Sequence, residues 1–92
     1  MGKRVGKYLQ QLREAQGQSM RQLGTQVGIS PSHLCLVETG RREVSITLLF
    51  PIIKALDGDF VNALKLLVLD AGVPAEAIAG KEIRSKADES NP

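Results

Sequence analysis

Side chains capable of covalent or metal chemistry are few and scattered in this sequence. It has one histidine, His33, and one cysteine, Cys35, with no cluster of carboxylates beside either. No triad, metal-ligand set or acid–base pair can be assembled from such spacing. The glycines are dispersed rather than grouped into a phosphate-cradling loop. Catalysis is set aside on these grounds, and no cofactor or metal is expected. The chemistry that remains is recognition. Arg41 and Arg42 follow Gly40 as a pair, and arginine makes forked contacts to phosphate oxygens. Arg21 is a weaker candidate for the same task, and Lys3, Arg4 and Lys7 add positive charge at the start of the chain. Cys35 has only His33 near it in sequence to activate it, so it reads as a small core filler rather than a redox switch.

The elements that must position these arginines lie in the stretch SMRQLGTQVGISPSHLCLVETGRR, residues 19–42. Ser19 and Ser30 can each accept a hydrogen bond from the free amides of a helix start, and Pro31 occupies the favoured first helical position. Leu23 and Val27 share a face of one short helix, Leu34 and Val37 a face of the next. Gly28 supplies the reversal between them, and Ile29 fills the corner. Helices this short are unstable alone, so each must pack one side and present the other. The side presented by the second helix carries Ser32, His33 and Leu36 and is flanked by Arg41 and Arg42. That construction suits a helix offered to the major groove of DNA.

The register of Ser19, Leu23, Gly28, Ile29, Ser30, Leu34, Val37, Glu38, Gly40, Arg41 and Arg42 resembles the Cro and lambda-repressor-like helix-turn-helix family, including regulators of the xenobiotic-response-element type. The resemblance runs from about Val5 to Ala71. It implies an all-α, five-helix DNA-binding domain that reads bases through Pro31, Ser32, His33 and Leu36. Phosphate contacts fall to Ser19, Arg21, Arg41 and Arg42. It also implies an ion pair between Arg13 of the first helix and Glu38, whose carboxylate near a helix end opposes the helix dipole. Two positions depart from the family pattern. Met20 stands where many members carry a phosphate-bonding glutamine, and Gly24 where alanine usually packs. The base-reading set is poor in hydrogen-bonding groups, so direct readout should be thin and partly replaced by DNA shape.

Three further helices complete the plan. The first spans about Val5 to Gln16 with Gly17 as its stop, the fourth begins near Ser45, and the fifth follows Asp59 and ends at Gly72. Pro51 interrupts the fourth, which must either kink or begin late. The fifth buries Phe60, Leu64, Leu67, Val68 and Ala71 on one face, yet Val61, Leu66 and Leu69 lie elsewhere around it. An apolar surface on several sides calls for a second covering. A second copy of the chain through Val61, Leu66 and Leu69 is the expected one, and the alternative is residues 73–80 folding back with Ile78 as anchor. Residues 1–72 form the domain, and 73–92 a short extension with a frayed tail.

Composition is consistent with this plan. Ninety-two residues with 42% hydrophobic content make one small globular domain. Residues 1–42 carry seven basic groups against two acidic ones, a balance of +5, and the remainder carry five against eight, a balance of −3. The positive half contains the presented helix and would steer it toward a polyanion. A single cysteine fits a reducing cytosol, and neither a signal peptide nor a membrane span is indicated. The expectation is a cytoplasmic, homodimeric regulator, most simply a repressor, binding double-stranded DNA. The alternatives are an antitoxin with a toxin as protein partner, and a protein-interaction module on the same fold.

Overall fold

Each helix start but the first is capped by a side chain that the local sequence supplies. In the computed structural model, which describes residues 2–74 and 76, five helices follow in order: α1 (Lys3–Ala15), α2 (Met20–Val27), α3 (Pro31–Glu38), α4 (Ile46–Ala55) and α5 (Phe60–Asp70). Ser19 Oγ accepts from the amide of Gln22, and Gln22 Oε1 accepts from the amide of Ser19, a reciprocal capping box. Ser30, Ser45 and Asp59 cap α3, α4 and α5 in turn. Gly28 ends α2 at φ 81°, in the left-handed region that favours glycine. There is no strand among the described residues.

Helix α1 obtains its cap from across the fold. Asp70, the last residue of α5, accepts from the amides of Arg4 (3.2 Å) and Val5 (3.0 Å) and from Arg4 Nη1 (3.2 Å). A carboxylate there meets the positive end of α1, and the arrangement ties the two ends of the domain together. Tyr8 adds a second tie, its hydroxyl accepting from the amide of Asp59 at the start of α5 (3.1 Å).

The core gathers one face of every helix: Val5 and Leu9, Leu23, Leu34 and Val37, Leu49, Ile52, Ile53 and Leu56, and Ala63, with Val44 from the α3–α4 loop. Helix α5 packs on both α1 and α4. Its fully buried residue is Ala63, with Phe60, Leu64, Leu66 and Leu67 partly buried around it. Ala63 is not among the residues that the apolar spacing turns inward. A small side chain lets two neighbouring helices close on α5, which sequence periodicity weights too lightly. Of the three residues expected at a dimer seam, Leu66 packs on the chain's own core, Leu69 is half-buried and Val61 is exposed.

Helix α4 begins directly after Ser45 and runs through Pro51, so the late start is excluded. The carbonyl of Thr47, which loses its helical partner to the proline ring, belongs to an exposed residue. The expectations for the extension, including the Ile78 anchor and the frayed tail, fall almost wholly outside the described residues.

Two glycines act by what they leave empty. A Cβ on Gly6 would collide with the carbonyl oxygens of Val37 and Glu38, the latter at 2.7 Å, so α1 lies directly against the backbone of α3. A Cβ on Gly24 would lie 2.5 Å from the carbonyl of Ile29, in the turn into α3. The glycine at the usual alanine position thus lets the turn close onto α2. Substituting Gly6→Ala should cost about 1–3 kcal/mol through forced separation of α1 and α3, despite alanine's better helix propensity. Thermal unfolding of this variant should show a midpoint several degrees lower; an unchanged midpoint would mean that the contact yields freely.

Candidate nucleic-acid interface

The interface begins with a buried ion pair. Arg13 Nε donates to Glu38 Oε2 at 2.7 Å, and Nη2 donates to Oε1 at 3.0 Å. The third arm, Nη1, donates to the carbonyl of Gln18 at 2.8 Å. One guanidinium therefore joins α1, the loop before α2 and the C-terminal turn of α3. Both residues are buried, with Arg13 8% and Glu38 5% exposed. The forked geometry satisfies both carboxylate oxygens, as burial of such a pair requires. The hydrogen bond to Glu38 raises the Arg13 pKa, the charge of Glu38 adds to the rise, and burial opposes it. A raised folded-state value means that the arginine's contribution is present below its ordinary pKa and lost only as pH climbs through the higher one.

With Leu34, Val37 and Glu38 turned inward, α3 presents Pro31, Ser32, Cys35, Leu36 and Thr39. Three of the four expected base-reading residues, Pro31, Ser32 and Leu36, are on that surface, and His33 is half-buried. Two residues of the face are missed by sequence reasoning. Cys35, expected as core filler, is exposed because Leu34 and Val37 already occupy the inward side and Cys35 falls opposite them. Thr39 completes the i, i+3, i+4, i+7 series that Ser32, Cys35 and Leu36 begin. That spacing is the signal by which both can be found.

The four expected phosphate-contact residues are all exposed: Ser19 and Arg21 at the start of α2, and Arg41 and Arg42 beyond α3. Gly40 takes φ 77°, and the amides of Arg41 (2.9 Å) and Arg42 (3.2 Å) both donate to the carbonyl of Leu36. The arginine pair is thereby fixed to the last turn of α3. Neither guanidinium, nor that of Arg21, forms an ion pair with another described residue. Arg21 lines an open depression with Gln18, Gln22, Thr25 and Gln26. Met20, at the family's glutamine position, packs toward the core instead.

No group of three or more His, Cys, Asp or Glu side chains among the described residues could hold a metal ion. No helix of the described residues is long and apolar enough to cross a membrane.

Replacing Glu38 by alanine strands a buried guanidinium and should cost about 3–5 kcal/mol, seen in chemical denaturation. The double change Arg13→Met with Glu38→Leu should recover most of that loss. A double variant as unstable as the single one would show that the pair contributes shape rather than charge balance.

A search among curated proteins finds no match. Two crystal structures of the clp gene regulator ClgR from Corynebacterium glutamicum are similar to the chain. One has a TM-score of 0.66 and 27% identity, covering 79% of this chain and 95% of that one. The other has a TM-score of 0.66 and 30% identity, covering 76% and 79%. A family described as the helix-turn-helix domain matches residues 4–63, most of the five-helix body that carries the ion pair, the glycine turn and the presented face of α3. The chain belongs to the helix-turn-helix domain family.

Proposed function

We propose that the protein is a transcriptional regulator, a repressor in its simplest form, that binds double-stranded DNA by inserting α3 into the major groove. The observation that carries this reading is a rigidly held, outward-facing α3 whose last turn is locked to two arginines that pair with no other described residue. Phosphate contacts from Arg41 and Arg42 would fix the register, and α3 would meet the base edges. The +5 balance of residues 1–42 supports approach to a polyanion. The likeness to ClgR, a gene regulator, supports the same class of function.

The working unit in this reading is a homodimer. Ile46, Phe50 and Val61 are 56%, 51% and 60% exposed, an unusual degree for large apolar side chains on a small domain. The Phe50 ring meets Phe60 edge-on, with centroids 5.3 Å apart, which joins the exposed residues of α4 to α5. Pairing would run through Phe50 and Val61, and dimeric binding of this kind calls for two half-sites about one helical turn, roughly 34 Å, apart. Leu66 and Leu69, half-covered within the chain, would contribute less than Val61.

A dimer neutralising about six phosphates should show log affinity falling against log salt with a slope near −5. Replacing both Arg41 and Arg42 by alanine should weaken binding to all duplexes alike and flatten that slope by about one for each phosphate no longer neutralised. An unchanged slope removes the arginines from the interface, and absence of any salt-sensitive binding to mixed duplex DNA favours a protein-interaction module. Phe50→Glu should shift the sedimentation behaviour from dimer to monomer while leaving the helical circular dichroism unchanged. A monomeric parent chain at micromolar concentration would refute the dimer.

A further inference from the structure

The chemistry of the presented face of α3 is unusual for a surface that reads nucleic acid. Of Ser32, Cys35, Leu36 and Thr39, only Ser32 offers a strong hydrogen-bond donor that no other described group engages. Thr39 Oγ1 donates back to the carbonyl of Cys35 at 2.8 Å, with that of Leu36 at 3.3 Å, so its proton is committed within the helix. Pro31 has no donor, and a thiol is a weak one. Leu36 is 37% exposed, one of the few large apolar side chains left open on the molecule. Cys35 lies beside it and is likewise exposed.

A face of this kind could attract an apolar protein surface, but its setting argues for a polyanion. The carbonyl of Leu36 itself holds the amides of Arg41 and Arg42, so the apolar pair sits within one turn of two positive charges that no described carboxylate engages. Charge complementarity therefore brings DNA rather than a hydrophobic partner onto it. Within the major groove the four bases present donors and acceptors, with one exception: thymine alone carries an apolar group, the 5-methyl.

We propose that Leu36 and Cys35 are specificity-determining residues that read thymine 5-methyl groups. Selectivity then comes mainly from methyl burial, with Ser32 supplying the polar contact. The inference rests on the reading in which α3 enters the major groove, and it deepens that reading by naming the group recognised.

The test uses duplexes selected by the full chain from a random double-stranded pool. The preferred duplex is resynthesised with deoxyuridine replacing thymidine, one position at a time, so that only the methyl is removed. Affinity should fall about fourfold at one or two positions in each half-site, the effect of burying a single methyl. Leu36→Ala should abolish the difference at one of these positions and Cys35→Ser should reduce it at a neighbour. Both should leave the salt slope and helical content unchanged, since the two side chains are exposed. Equal binding of the thymidine and deoxyuridine duplexes overturns the inference and leaves the DNA-binding function standing. So does a thymine preference that persists in both variants. Failure of the parent chain to bind or enrich any duplex overturns both.

Discussion

The fork between Arg13 and Glu38 is the constraint on which the rest of this domain depends. Helix α3 has eight residues and would not persist in water alone. Its last residue is an acid, placed against the negative end of the helix dipole. Arg13 cancels that charge from α1, and its remaining donor holds the Gln18 carbonyl just ahead of α2. Gly6, two turns earlier on the same helix, gives the backbone room to lie against the carbonyls of Val37 and Glu38. Asp70 then secures the start of α1 from the end of α5. Contacts thus run from α5 through α1 to α3, and the presented face is positioned by helices that contribute nothing to it chemically.

That division between holding and presenting explains the composition of the two sides of α3. The inward side has charge, forked hydrogen bonds and fully buried leucine and valine, all of which fix orientation. The outward side has little directional chemistry. Orientation on a partner must come from its border, where Gly40 turns the chain and the Leu36 carbonyl gathers Arg41 and Arg42. On the proposed reading, a surface organised this way would separate affinity, electrostatic and insensitive to sequence, from selectivity, small and local. The apolar residues on α4 and α5 matter in that light. In the proposed dimer, thin selectivity in one copy would become useful because two copies must be satisfied at a fixed spacing.

Much of the architecture is legible in the sequence because it is encoded within a few residues. Caps at Ser19, Ser30, Ser45 and Asp59 act on amides two or three positions away, and Gly17, Gly28, Gly40 and Gly72 take positive φ where a helix must stop. The exposed positions of Ser32 and Leu36 can be anticipated for the same reason, since they follow from the phase of Leu34 and Val37, and those of Arg41 and Arg42 because they lie just past the Gly40 stop. Cys35 can be placed by that phase too. Its residue type points inward because small thiols are usually buried, a preference that the geometry of this helix overrides.

Sequence alone determined five helices, most of their caps and stops, and the concentration of positive charge around one helix-turn-helix unit, because each depends on local propensity, periodicity or composition. Tertiary structure decided the rest: that Ala63 rather than a larger residue is the buried centre of α5, that Asp70 caps a helix sixty-odd residues away, that Gly6 and Gly24 are points of close backbone approach, and that Leu66 is spent within the chain while Val61 and Phe50 are left open. These are set by how closely and at what angle helices cross, and the fit of one helix against another has no signature in either sequence taken separately.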